Sequence, residues 1–324
     1  MDVKFESAVV TGVAGFVGSR LAETLLELGV RVRGLDSITP YYSPELKHAN
    51  LAVLSAHKEF DFRRVDLSTD DLASHLEGGP VVFHQAAQPG VRSSWANGFP
   101  NSVTNNVTAT QRLLEAAKDA HVERFVYASS SSVYGEAAET PMTEGGPLRP
   151  FSPYGVTKLS AEQLCTVYAD NWGLPTVSLR YFTVYGPGQR PDMAIHRLMQ
   201  SALCGVEFPL YASSDHIRDF TYVDDIVAAN LAAARPLPSG TIMNVAGGAV
   251  VTMRELMSTV EEVTGRRLKV VDEAKKAGDV TRTEADLKRV KKLLAWSPQI
   301  GLREGLGRQM EWHEQRADLL ALAD

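Results

Sequence analysis

The chain has 324 residues, 44% of them hydrophobic and 22% charged, with a formal net charge of −6, a globular composition with length for about two structural units. The acidic balance without a basic stripe argues against a nucleic-acid binder, and no apolar run approaches the ~18 residues that cross a bilayer. The N-terminus enters a strand with no charged segment followed by an apolar one, so no secretory leader is expected and the expected compartment is the cytoplasm.

In chain order, Ser7–Thr11 reads as a strand, and Phe16–Leu28 has helical periodicity that stops at Gly29. Between them lies Gly12-Val13-Ala14-Gly15-Phe16-Val17-Gly18. A Gly-x-x-Gly-x-x-Gly turn from a strand into a helix suits a pyrophosphate, because the free N–H groups and dipole of a helix N-terminus favour anions. Arg31–Asp36 is the next strand. Asp36, at its end, is where a carboxylate takes adenosine ribose hydroxyls, and it repels a 2′-phosphate, so NAD is expected over NADP. Arg33 is expected to point elsewhere.

Glu45–His57 reads as helix and Phe60–Val65 as strand. Asp66-Leu67 then meets an adenine, or Asp66 caps the following Ser68–Asp71. Val81–Gln85 is a buried strand, with His84 expected in the core. Ala86 and Ala87 leave room for a nicotinamide ribose or pack a helix. Asn97–Ala120 is a long helix pattern, Glu123–Ser129 a strand, Pro153–Trp172 a helix and Thr176–Arg180 a strand. Strands alternating with helices imply a parallel sheet with right-handed crossovers.

After Phe182 the rhythm loosens. Short strands (Phe208–Tyr211, Thr241–Val245, Leu268–Val271) mix with helices (Met193–Cys204, Asp224–Ala234, Met253–Thr264) in what reads as a smaller lobe. Lys288–Lys292 reads as a solvated helix face. The two cysteines, Cys165 and Cys204, have no metal-ligand or disulfide spacing and are expected as buried thiols, and no metal site is expected. Trp95, Trp172 and Trp296 are expected to pack inside.

Tyr154-Gly155-Val156-Thr157-Lys158 puts a phenol and an ammonium four residues apart, on one helix face. A tyrosine of ordinary pKa about 10 becomes a base near neutrality only when nearby cations favour its phenolate. Ser129-Ser130-Ser131-Ser132 at a strand end can supply a hydroxyl to a substrate oxygen.

Together the segments Gly12–Gly18, Ser129–Gly135 and Tyr154–Lys158 resemble the extended short-chain dehydrogenase/reductase family, across nearly the whole chain. The resemblance implies an α/β fold: a Rossmann-type doubly wound parallel sheet over residues 1–182, with a smaller mixed α/β substrate lobe over 183–324 from which later segments can cross back. It implies an NAD enzyme acting on nucleotide sugars, with Tyr154 as base, Lys158 as its lysine and Ser130 as the catalytic Ser/Thr. Tyr181 joins Gly12, Gly15, Phe16, Val17, Gly18, Asp36, Asp66, Leu67, Ala86, Ala87 and Lys158 on the cofactor side. Arg218, in Arg218–Asp225, matches the arginine that meets the nucleotide diphosphate, or it pairs with Asp219. Asp279 matches the aspartate of the nucleotide ribose.

Tyr181–Met193, Tyr41-Tyr42 with Glu45–Lys47, and Ala86–Arg92 are similar to the UDP-glucuronate 4-epimerase subgroup, though Pro89 stands where that subgroup usually has Ala. Thr183 stands where galactose epimerases and many dehydratases carry Asn. Oxidation at C4 of a glucuronate gives a β-keto acid that loses carbon dioxide easily, so a 4-epimerase must hold the carboxylate. Ser131, Ser132, Thr183, and Arg190 or Arg92 are the candidates for that clamp, with Gln88 beside them. Ser131 and Ser132 stand where family dehydratases carry an Asp-Glu pair and decarboxylases a Glu, which argues against both reactions. The expected activity is therefore 4-epimerisation of UDP-glucuronate, with UDP-galactose/UDP-glucose 4-epimerase or UDP-glucuronate decarboxylase as alternatives. The family also implies a homodimer joined through Asn97–Ala120 and Pro153–Trp172.

Overall fold

The apolar run Ser7–Thr11 forms strand β1, buried on both faces, and helix α1 (Phe16–Glu27) follows it directly. The computed structural model describes residues 4–137, 139–211 and 213–321. Next come β2 (Arg31–Asp36), α2 (Pro44–Leu54), β3 (Phe60–Arg64) and β4 (Val81–His84). The expected helix Asn97–Ala120 is present but not uniform: α3 (Phe99–Val103) runs through a π-helical turn (Thr104–Thr108) into α4 (Ala109–Asp119). Then follow β5 (Arg124–Ser130), α5 (Pro153–Trp172) and β6 (Thr176–Tyr181).

The remaining elements are β7 (Val184–Tyr185), α6 (Ala194–Cys204), β8 (Glu207–Tyr211), β9 (Ile217–Tyr222), α7 (Val223–Ala233), β10 (Thr241–Val245), β11 (Ala249–Thr252), α8 (Met253–Thr264), β12 (Lys269–Glu273), α9 (Lys288–Leu294), α10 (Leu302–Gln315) and α11 (Ala317–Ala321). The main sheet has seven parallel strands in the order β10-β6-β5-β4-β1-β2-β3. Sequence alone groups Thr241–Val245 with the strands of the smaller lobe. In the structure β10 pairs with β6, Met243 opposite Leu179, and extends the main sheet. Two small sheets, β11-β9-β7 and β12-β8, lie beyond it. The periodicity missed β7, β9 and β11, which are short strands set among turns.

Two apolar cores cover the two faces of the main sheet. One gathers α1, α6, α7 and α8 residues such as Leu21, Leu198, Ile226 and Leu256, and the other α4 and α5 residues such as Leu113, Leu114, Ala161 and Cys165. With helices on both sides, β4 and β5 are buried along their whole lengths. The strand order reverses between β1 and β4, and in such sheets the crevice at the carboxyl ends of those strands takes the ligand.

Three burial expectations change. Cys165 is buried but Cys204 is exposed. Trp296 packs inside, whereas Trp95, ahead of α3, and Trp172, at the end of α5, are 43% and 65% exposed. Among the described residues, no helix is long and apolar enough to cross a membrane.

Candidate active site

A cleft of about 810 Å³ opens at the reversal point, within the usual size range for ligand sites. Its walls bring together residues expected from all parts of the chain: Gly12, Gly15, Phe16, Val17, Gly18, Asp36, Asp66, Leu67, Ala86, Ala87, Tyr181, Gln88, Arg92, Ser130, Ser131, Ser132, Tyr154, Lys158, Thr183, Arg190, Arg218 and Asp279.

At one end, the turn after β1 is packed too closely for side chains. Gly12 has φ +66°, and a Cβ on it would lie 2.8 Å from the Ala86 backbone. A Cβ on Gly18 would lie 2.1 Å from the Gly12 carbonyl oxygen. Gly15, at the N-cap of α1, gives no side-chain cap. The first intrahelical bond is Ser19 N–H to the Gly15 carbonyl, so the preceding N–H groups are left for an anion. The Asp36 carboxylate is oriented by two amides: Oδ2 accepts from Ala14 N–H at 3.1 Å and Oδ1 from Ile38 N–H at 2.8 Å. Arg33 turns away to Asp61 and the Ser74 and His75 carbonyls. Asp66 lines the cleft while its Oδ1 accepts from the Ser68 amide and hydroxyl.

Lys47, part of the Glu45–Lys47 resemblance, is buried and donates to the Thr39 carbonyl at 2.8 Å, holding the loop that carries Tyr41 and Tyr42. Two further residues here are not apparent from the sequence. Asn50 Nδ2 donates to the Ala14 carbonyl at 3.0 Å. Asn106, in the π-helical turn, accepts from Gln88 N–H at 2.7 Å, and its Nδ2 donates to the Gln88 carbonyl at 3.1 Å and to Thr157 Oγ1 at 2.9 Å. The Thr157 hydroxyl in turn donates to the Tyr154 carbonyl, so Asn106 links the loop after β4 to α5. His84 sits in the core between Thr11 and Thr110, and burial pushes its pKa down to about 3, which keeps it neutral.

The centre of the cleft is where α5 meets the end of β5. Ser152 caps α5 by accepting from Gly155 N–H at 3.1 Å, and Pro153 begins the helix. Tyr154 and Lys158 then face β5 one turn apart. Lys158 Nζ donates to the Ala128 carbonyl at 2.5 Å and lies 4.4 Å from the Tyr127 ring centroid. Ser130 lies beside the Tyr154 phenol in the cleft wall, and its Oγ accepts from Ser132 N–H at 3.1 Å. Burial pushes the phenol pKa up, while the Arg190 guanidinium and the Ser130 side chain pull it back. Burial also pulls Lys158 down to about 7, against Cys165 and Glu162, which raise it. In this arrangement added positive charge beside the phenol would favour its phenolate.

At the other end, charged side chains pair in ways the sequence does not show. Arg190 holds Asp192, and Arg92 donates to Asp279 Oδ2 at 2.8 Å with its guanidinium 4.0 Å from the Tyr211 ring centroid. Arg218 donates to the Val280 and Ile217 carbonyls at 2.7 and 2.8 Å. Asp219, the partner expected in the alternative reading of Arg218, is buried elsewhere. It accepts from Gly248 N–H at 2.9 Å and Ala285 N–H at 3.3 Å, with its pKa pushed up to about 6 by burial.

Comparison with known proteins bears on this geometry. Residues 8–246 match the model of the NAD dependent epimerase/dehydratase family. The chain is 43% identical over 309 residues to the uncharacterised UDP-glucose epimerase YtcB of Bacillus subtilis, spanning 94% of this chain and 96% of that one. It is 36% identical over 317 residues to a UDP-glucuronate 4-epimerase of Thermodesulfobacterium geofontis, spanning 96% and 97%. Among solved structures, the UDP-glucuronic acid 4-epimerase of Bacillus cereus in complex with UDP-glucuronic acid and NAD superposes with a TM-score of 0.92 at 39% identity, spanning 95% of this chain and 99% of that one.

Proposed function

This chain belongs to the NAD dependent epimerase/dehydratase family, and we propose that it is a UDP-glucuronate 4-epimerase, interconverting UDP-glucuronate and UDP-galacturonate. The observation that carries this reading is one cleft that joins Ser130, Tyr154 and Lys158 to Thr183 and Arg190, with serines at 131 and 132. The Tyr–Lys pair supports redox chemistry at a sugar hydroxyl. A hydroxyl at 183 and a guanidinium at 190 suit a carboxylated sugar. Serines at 131 and 132 cannot act as the general acid or base that elimination needs.

The residues present fit NAD. The free N–H groups at Phe16, Val17 and Gly18 would take the pyrophosphate, Asp36 the adenosine ribose hydroxyls, and Lys158 the nicotinamide ribose. NAD bound there would supply the acceptor for a hydride from C4 of the sugar and the donor that returns it to the other face. The chain's own part is proton and charge handling. Tyr154, helped by Ser130, takes the proton of the sugar 4-hydroxyl and later gives it back. Lys158 holds positive charge beside the phenolate, and Asn106 with Thr157 fixes the helix turn that carries it. Arg218 and Asp279 anchor the nucleotide diphosphate and ribose, so that the sugar alone turns over. Ser131, Ser132, Thr183 and Arg190 hold the carboxylate out of the geometry that releases carbon dioxide.

Incubating the purified protein with UDP-glucuronate and separating the products tests this reading. UDP-galacturonate is expected. A UDP-pentose would replace epimerisation by decarboxylation, and a higher kcat/KM for UDP-glucose than for UDP-glucuronate would favour the neutral-sugar alternative that the Bacillus subtilis relative's name suggests.

The protein acts in the cytoplasm as a homodimer joined through α3–α4 and α5. The support is apolar surface on those helices: Trp95, Phe99, Phe151 and Val156 line a shallow depression, and Val156 and Val167, three turns apart on one face of α5, are 48% and 50% exposed. Sedimentation tests this, and a strict monomer at micromolar concentration would refute it.

A further inference from the structure

Helix α5 carries a third polar residue in the four-residue series that begins with Tyr154 and Lys158. Glu162 lies one turn beyond Lys158 and is fully buried. Its Oε1 accepts from Arg180 Nη2 at 2.6 Å, and its Oε2 accepts from Arg180 Nε at 2.9 Å and from the Ser129 hydroxyl at 2.6 Å. We propose that Glu162 is a positioning residue for the Tyr154–Lys158 pair, supplying the counter-charge and the grip on β5 that keep Lys158 charged and in place. The inference rests on the catalytic roles given above to Tyr154 and Lys158.

Two observations support it beyond a structural ion pair. First, two consecutive residues at the end of β5 are held by two α5 residues four apart: Lys158 holds the Ala128 carbonyl and Glu162 the Ser129 hydroxyl. The grip of Glu162 on Ser129 therefore sits between the anchor of Lys158 and Ser130, the residue beside the Tyr154 phenol. Second, the contacts of Lys158 are neutral. Its ammonium meets a carbonyl and an aromatic face, and among the described residues it makes no ion pair. A buried ammonium with neutral partners tends to lose its proton.

The groups that face this pair from each packed element are few. His84 on β4 is neutral, Tyr127 on β5 presents its ring, Arg180 reaches from β6, and Tyr154, Glu162 and Cys165 share α5 with Lys158. Cys165, whose thiol burial keeps protonated, carries no charge at neutral pH. Glu162 is then the carboxylate that supports Lys158. Arg180 also donates to the Tyr134 hydroxyl at 2.8 Å and the Glu144 carbonyl at 3.3 Å. Burial pulls Lys158 down and Glu162 helps hold it up, so loss of Glu162 should favour the neutral amine on the helix face that carries Tyr154.

The test compares Glu162→Gln with the double variant Glu162→Gln/Arg180→Met, in the full chain carrying its NAD. The single variant leaves Arg180 buried without its carboxylate and can lose stability for that reason alone. The double variant removes both charges, and such replacements are commonly tolerated. The double variant should melt near the wild type, with kcat down about tenfold and KM within about twofold. Its phenolate titration, read by ultraviolet difference absorbance against a Tyr154→Phe background, should move to higher pH. A double variant with wild-type kcat and an unmoved phenolate titration would show that Glu162 serves only Arg180, and would overturn the proposal. A double variant that is folded but no longer grips NAD would overturn it as well. If the wild type itself turns over no nucleotide sugar, the catalytic reading fails first, and the two failures are thereby distinguished.

Discussion

Arg190 grips Asp192 with both arms of its guanidinium, Nε to Oδ1 at 2.9 Å and Nη2 to Oδ2 at 3.1 Å. Tyr41 donates to the same carboxylate at 3.4 Å and contacts Ser93 at 3.2 Å, so a loop beside the dinucleotide end is tied to the loop of the candidate sugar clamp. Arg190 also lowers the pKa of Tyr154. One guanidinium thus faces Asp192 and the phenol at once, in the part of the cleft that the sugar is expected to enter.

Arg190→Gln follows from this geometry. It removes a charge-assisted contact worth about 1.5–3 kcal/mol, so kcat/KM for UDP-glucuronate should fall about 10- to 100-fold. The fall should be smaller for UDP-glucose, and some UDP-pentose should appear as the carboxylate loses restraint. Steady-state kinetics on both sugars with product chromatography reads it. Equal losses on the two sugars and no pentose would remove Arg190 from the clamp.

Tyr154→Phe removes one hydroxyl at a half-buried position and leaves the ring. Turnover should drop by about 10²- to 10⁴-fold, the usual contribution of a general base. Melting temperature and NAD content should stay close to wild type. Residual activity above a tenth of wild type would sink the assignment of the base.

Asp36→Asn alters one of the two oxygens that the Ala14 and Ile38 amides orient. An amide nitrogen placed against either N–H sets donor against donor, so the side chain must turn and the ribose site is lost. NAD affinity should fall about tenfold, and NADP should gain relative to NAD because the negative charge is gone. Cofactor content after gel filtration and direct titration with both dinucleotides measure this. Unchanged retention with no relative gain for NADP would place the adenosine ribose elsewhere.

The order of strands and the chemistry-bearing motifs of the first half were legible because they are local. A glycine turn between an apolar run and an amphipathic helix, or a Tyr and Lys four apart, declares itself within a few residues. What pairs with what was not legible. Arg92 and Asp279 are 187 positions apart yet form an ion pair, and Arg180 lies in a strand otherwise read as apolar, where its charge signals a buried partner without naming Glu162. A continued four-residue series from Tyr154 through Lys158 to Glu162 was a signal available in the sequence and passed over. Asn106 was hidden because a π-helical turn breaks the 3.6-residue period that sets which side chains point inward. Cys204, Trp95 and Trp172 lie outside because an apolar residue type does not by itself fix an inside position: much apolar surface stays exposed.

Lys158 gives a prediction in which stability and chemistry oppose each other. Its ordinary pKa is 10.5, and burial lowers it to about 7 in the folded chain. Between these values the unfolded chain holds a proton that the folded chain has released, so unfolding takes up protons and stability rises with pH through that window. Below about pH 7 both states are protonated and the cost of the buried ammonium is fully present. Lys158→Met abolishes this titration. It also leaves the buried Ala128 carbonyl without its donor, a loss of about 1–3 kcal/mol that does not vary with pH. The difference in stability, variant minus wild type, should therefore be most favourable to the variant at about pH 6 and shift toward the wild type by about pH 9. Urea unfolding of both proteins at the two pH values measures it, and parallel pH dependences would refute the depressed lysine. The variant should be inactive at every pH, because the ammonium that is costly to bury is the charge that holds the Tyr154 phenolate.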